Sequence, residues 1–112
     1  MQAQQVGRRQ NEAAELWIRL EEEIGREGLP ARCVAALYQV FVSRRLRRGT
    51  YQSDESLSQG QAVRDLRELV THRWLMPYGQ TKGRFYAPGP KMSEIREEFA
   101  ARQKSLRDLY RT

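Results

Sequence analysis

Residues 58–86 read SQGQAVRDLRELVTHRWLMPYGQTKGRFY, and the fold turns on a change of period halfway along this stretch. It opens on Ser58, followed three places later by Gln61. That is the spacing of a capping box, and Leu57 stands where a hydrophobic staple would stand. Ala62, Val63, Leu66, Leu69 and Val70 then recur at helical intervals, which predicts a helix over about Gln59 to His72. Gln61, Arg64, Arg67, Glu68 and Thr71 fall on the opposite face. Past His72 the pattern becomes aromatic and extended, in Arg73-Trp74-Leu75-Met76-Pro77-Tyr78 and again in Arg84-Phe85-Tyr86-Ala87. The five residues from Gly79 to Gly83 between these segments predict a β-hairpin, with Pro77 confining the first strand to an edge. A capped helix running into such a hairpin is the second half of a winged helix-turn-helix.

Upstream, a helix is expected from about Ala31 to Leu46, burying Val34, Leu37, Tyr38, Phe41 and Val42, with Cys33 or Ala36 at the margin. It ends in Arg44-Arg45-Leu46-Arg47-Arg48-Gly49, where arginines suit the negative end of a helix and Gly49 suits the position just past it. The polar segment from Thr50 to Leu57 has room for one or two helical turns. Earlier still, Asn11 is placed as an N-cap, and Ala13, Leu16, Trp17, Leu20 and Ile24 form an amphipathic helix of about 14 residues. Gly25 and Gly28 weaken it, and Pro30 ends it or opens the next helix. Downstream, Pro88-Gly89-Pro90 interrupts regular structure. A last helix is expected from a Ser93 cap to about Tyr110, with a seam of Met92, Ile95, Phe99, Arg102, Leu106 and Leu109.

The expected organisation is mainly α with a small β-hairpin. A disordered tail covers 1–10, a flanking helix 11–27, the winged helix-turn-helix 30–90 and a second flanking helix 92–110. Left apart, the terminal helices would expose apolar stripes to water. They are expected to pair through Trp17, Leu20 and Ile24 against Ile95, Phe99 and Leu106, within one chain or between two in a homodimer.

Charge narrows the partners. The 112 residues carry 20 basic and 14 acidic side chains, for a net +6. Between residues 44 and 91 the count is ten basic against four acidic. Most of the positive charge is arginine, which suits planar phosphate recognition and favours an anionic partner, nucleic acid first. No apolar run approaches the ~20 residues of a membrane-spanning helix, and the N-terminus lacks the apolar core of a secretory signal. No membrane association and a cytoplasmic location are therefore expected. Cys33 alone cannot form an internal disulfide and reads as a small core side chain.

The residues also argue against catalysis. One Cys and one His are too few for a structural zinc site, and no cofactor is expected. Asp65 and Glu68 beside Arg64 and Arg67 read as a helix-surface ion-pair ladder. His72 reads as a helix C-terminal residue favoured by the dipole. The turn from Gly79 to Gly83 leads into a strand and not into a helix N-terminus, so it does not cradle phosphate. Trp17 and Trp74 read as packing residues.

The run Arg64-Asp65-Leu66-x-x-Leu69-Val70, then Trp74-Leu75 and Gly83-Arg84-Phe85-Tyr86, resembles the winged helix found C-terminal to the catalytic domain in Fic-family proteins. Arg47-Arg48-Gly49-Thr50-Tyr51 is similar to that group's entry into the helix-turn-helix. The resemblance spans about residues 40 to 90. It departs from the group in a shorter, more polar segment before Ser58 and in the spacing of the wing aromatic. A similar Arg-Asp-Leu element occurs in DeoR-type repressors, so it marks winged helices in general. The resemblance implies an accessory module, because the histidine-centred Fic catalytic motif is absent.

Duplex DNA is the leading candidate partner. The Ser58-capped helix would enter the major groove, with Gln59, Gln61 and Arg64 facing bases and Arg67 and Thr71 nearer phosphate. Lys82 and Arg84 of the wing, and Arg44, Arg45, Arg47 and Arg48, would meet the backbone. Glu68 on the same face works against phosphate. The alternative is a protein-interaction, dimerisation or regulatory module with no DNA binding.

Overall fold

The structure is a computed structural model. It describes the backbone of residues 2–79 and 83–110 and the side chains of 12–79 and 83–102. Five helices and two strands follow one another as α1 (Gln2–Arg26), α2 (Cys33–Ser43), α3 (Arg48–Asp54), α4 (Gln59–Thr71), β1 (Leu75–Tyr78), β2 (Phe85–Pro88) and α5 (Pro90–Tyr110). The chain is mainly helical with one small hairpin, as its sequence predicts.

The capping box forms at the start of α4. The Ser58 hydroxyl accepts from the Gln61 backbone N–H at 3.2 Å, and the Gln61 side-chain oxygen accepts from the Ser58 N–H at 3.0 Å. Ala62, Leu66 and Leu69 are buried, with Val63 and Val70 at the margin. The helix stops at His72, and Arg73 takes a left-handed conformation that turns the chain into β1.

β1 and β2 pair antiparallel with Leu75 opposite Pro88 and Tyr78 opposite Phe85. The other edge of β2 is covered by Leu46. Tyr86 and Leu46 exchange backbone hydrogen bonds of 2.7 and 2.8 Å, which makes a minimal third strand that the sequence did not signal. That pairing explains how two prolines fit. Successive residues of an antiparallel strand turn their N–H groups to opposite sides. Because Tyr86 bonds toward Leu46, its partner Pro77 faces β2 at a position that needs no donor, and only the outer edge loses one.

Several boundaries differ from expectation. α2 ends at Ser43, three residues early, because Arg44 adopts the left-handed conformation (φ 69°) and its N–H returns to the Val40 carbonyl. Arg44 therefore fills the role expected of Gly49, which lies inside α3. Arg47 is the N-cap of α3 and Arg48 its first residue, so both stand at the positive end of a helix. The dipole offers them no stabilisation. It is Arg96 of α5 that serves the C-terminal end of α2, donating to the Phe41 carbonyl and lying 4.4 Å over the Phe41 ring.

α1 begins at Gln2 and not at Asn11, so the expected disordered tail is helical and Asn11 is an interior residue. Gln, Ala and Arg are good helix formers, and Gly7 alone in that stretch does not break the run. α5 starts at Pro90, three residues before the expected Ser93 cap. Proline is suited to a first helical position, and Gly89 before it is obligatory. A Cβ there would lie 2.6 Å from the Arg73 carbonyl oxygen.

The terminal helices meet within one chain, antiparallel, through ion pairs in order along their length. These are Glu27 with Lys91, Arg19 with Glu98 at 3.2 Å, and Glu15 with Arg102 at 3.2 Å. Leu16, Leu20 and Ile24 of α1 join Met92 and Ile95 of α5 in the same core as α2 and α4, with Phe99 packed at its edge. Trp17 does not face α5 as expected. It lies against Tyr38 of α2, centroids 5.5 Å apart. Leu106 and Leu109 of the expected seam lie outside the described side chains. Among the described residues no helix is long and apolar enough to cross a membrane.

Candidate nucleic-acid interface

The position of α4 is set by a buried carboxylate. Asp65 is 2% exposed. It accepts two bonds from the Arg32 guanidinium, from Nε at 2.5 Å and from Nη2 at 3.0 Å, and a third from the Tyr51 hydroxyl at 2.7 Å. One side chain of α4 thus holds the start of α2 and the middle of α3. Bonding to Asp65 holds the Arg32 guanidinium even more firmly protonated than usual, and burial followed by the Asp65 bond pushes the Tyr51 phenol up. Beside them Cys33 is fully buried, and burial first, then the Asp65 charge, raises its thiol to about 11. Such a thiol is an inert core group.

This geometry overturns the expected ion-pair ladder on α4. Asp65 faces inward to Arg32, and Glu68 faces His72, its Oε2 3.6 Å from Nε2. Arg64 and Arg67 are left exposed with no acidic partner among the described residues. The same holds for Arg44, Arg45, Arg47, Arg48, Arg73 and Arg84. By contrast Arg19, Arg26, Arg32, Lys91 and Arg102 each contact a carboxylate. Among the described residues, the cations of α1 and all of those of α5 but Arg96 are ion-paired, Arg96 donates to the Phe41 carbonyl, and the arginines of α3, α4 and the hairpin have no acidic partner.

Of the expected contact residues, Gln59, Gln61, Arg64, Arg67 and Thr71 are all exposed on α4. Gln61 is chemically compromised for reading adenine. Its carbonyl oxygen is engaged in the cap, and bidentate adenine recognition needs that oxygen and the amide nitrogen together. The Leu46–Tyr86 bridge brings the expected Arg44–Arg48 set to the wing, where Arg45 lies 4.7 Å from the Phe85 ring centroid. Arg84 is exposed at the start of β2. Lys82 lies outside the described residues.

A second polar hub fastens the back of the domain. Glu27 receives bonds from His72 Nδ1 at 2.8 Å, Trp74 Nε1 at 3.0 Å and Lys91 Nζ. Burial pushes its carboxyl up, but the bonds from Lys91 and Trp74 outweigh that and hold it below the ordinary 4.5. His72 is therefore a structural ligand of this carboxylate as well as a helix-end residue. Sequence reasoning missed Arg32, Tyr51, Asp65 and Glu27. One signal was available: Arg32 stands at the positive end of α2, where an arginine is unfavourable without a carboxylate.

Among the described residues no group of three or more His, Cys, Asp or Glu could hold a metal ion. Comparison with protein-family models and with curated proteins finds no match.

Proposed function

We propose that this chain is a non-enzymatic, cytoplasmic DNA-binding winged helix, an accessory module of the kind its resemblance to Fic-associated domains implies. The supporting observation is the division of its cations. Among the described residues, eight exposed arginines on α4, the hairpin and the segment around α3 have no acidic partner, whereas Arg19, Arg26 and Arg102 of α1 and α5 do and Arg96 of α5 is taken up by the Phe41 carbonyl. Unpaired arginines concentrated on one part of a domain attract polyanions, and duplex DNA is the polyanion that an exposed capped helix beside a hairpin fits. Arg64 and Gln59 are the base-reading candidates, and Arg44, Arg45, Arg47, Arg48, Arg67 and Arg84 the phosphate contacts.

The test is a titration of labelled duplex at several salt concentrations. With about four to six phosphate contacts, log K falls with log salt at a slope of roughly −3.5 to −5.5. Arg47→Ala weakens binding to all sequences and flattens that slope by about one unit. Arg64→Ala reduces discrimination between sites by about 1–3 kcal/mol. Binding weaker than about 10⁻⁴ M at low salt rejects the proposal.

One observation favours a protein-interaction module instead. Ile18 and Val42 are 53% and 61% exposed, and Trp17 is partly so, on the outer side of α1 and α2. If DNA does not bind, this apolar surface is the next place to look.

A further inference from the structure

The wing carries chemistry that duplex recognition does not use. Leu46, Leu75 and Tyr86 turn toward the core, so by strand alternation Met76, Tyr78, Phe85 and Ala87 lie on the outer face. Met76 is 42% and Tyr78 47% exposed. The Tyr78 and Phe85 rings are nearly parallel, 18° between planes with centroids 5.7 Å apart, and the Arg45 guanidinium sits over Phe85. The sequence stretches 43–53 and 73–89 contain seven basic side chains and no acidic one.

We propose that the outer face of the wing stacks an unpaired base of single-stranded DNA, with Tyr78 offering its ring and Arg45, Arg47 and Arg84 receiving the flanking phosphates. The proposal rests on the nucleic-acid reading above and adds a second form of that ligand. Aromatic rings beside a cationic track are how proteins hold single strands without sequence preference, because every base has a π-face. Duplex DNA would meet the arginines and leave the rings unused, since its bases are already stacked inside the helix. An acidic peptide would engage the arginines and leave the rings idle. The Tyr78–Phe85 pair also steadies the hairpin, so the experiment must separate stacking from folding.

The probe is a short single strand containing 2-aminopurine, titrated against the full chain beside a blunt hairpin duplex. Single-strand binding should quench the fluorescent base. Tyr78→Phe should retain the quench. Tyr78→Leu, which keeps apolar bulk in the hairpin, and Tyr78→Ala should weaken single-strand binding about five- to 150-fold. Blunt-duplex binding of the leucine variant should stay unchanged and its thermal unfolding should stay cooperative. Equal single-strand affinity for wild type and Tyr78→Leu overturns the proposal and leaves the duplex reading standing. Single-strand binding without duplex binding supports it and removes the duplex reading. Displacement of the strand by polyglutamate at matched charge overturns it in favour of a peptide surface. Absence of both forms of binding overturns both.

Discussion

Asp65 shows how one side chain can stand beside exposed arginines on a helix and yet serve only the interior. It lies between the exposed Arg64 and the buried Leu66, and its carboxylate satisfies Arg32 and Tyr51 in the interior. Removing one partner of a buried ion pair leaves the other uncompensated. Asp65→Ala should therefore cost about 3 kcal/mol, with some relief because Arg32 is a third exposed. Tyr51→Phe, which removes one bond to the same carboxylate, should cost about 1 kcal/mol. Urea unfolding of both variants and the double variant gives the coupling, and strictly additive effects would show that the three groups do not act together. Glu27 makes a pH prediction. Its folded carboxyl titrates below the ordinary 4.5, so in the acid range the unfolded chain binds more protons than the native one. The stability it contributes is present above pH 4.5 and is lost as pH falls through the folded value. Glu27→Gln should flatten the acid limb of the stability profile. Arg32 signalled the need for a carboxylate, but which one was not legible in the sequence, because Arg32 and Asp65 are 33 positions apart and Glu27 and Lys91 are 64 apart. Periodicity reports which face is apolar, not which polar residue is drawn inside.

Among the elements, α4 was the most legible because a local cap and a local apolar period agree over its whole length. Leu66→Ala tests the assigned face directly. The side chain is fully buried at the centre of the core, and its loss should cost about 2–5 kcal/mol by equilibrium unfolding. A near-neutral result would mean that the helix presents another face. The hairpin was legible for the same reason: glycine-bounded connector and aromatic strands are both short-range signals. The region from Arg44 to Gly49 was misread because a long-range contact decides it. Leu46 is drawn into a bridge with Tyr86, 40 residues on, and a bridged residue cannot continue α2. Arg44 then takes the left-handed conformation that Gly49 was expected to supply. The arginines consequently changed role, from a stabilised helix end to exposed cations beside the wing. This candidate site was legible by composition and position, but the reason for its exposure was not.

At the scale of the molecule, the expected division into a central domain and two flanking helices does not describe how the core is built. Leu16, Leu20 and Ile24 from α1 and Met92 and Ile95 from α5 are five of the seventeen buried apolar residues among those described, and they sit in one cluster with α2, α4 and β1. The Glu27 hub ties the end of α1 to His72, Trp74 and Lys91, and so to the end of α4, the start of the hairpin and α5. A chain trimmed to 28–90 would keep α2 to β2, but it would expose the faces of α2 and β2 that α1 and α5 cover. Domains of that size have little core to spare, typically a few kcal/mol of net stability. The full chain should therefore unfold by heat in one cooperative transition, and the trimmed chain should show none. Circular dichroism melts followed at helix and at aromatic wavelengths would decide it. Coincident transitions are expected for the full chain, and a trimmed chain melting cooperatively at the same temperature would mean that α1 and α5 are appendages after all. Deleting α1 alone is the sharper variant, because it leaves every unpaired arginine of the candidate interface in place. Its loss of DNA binding would then be traced to the fold that orients those arginines and not to their removal.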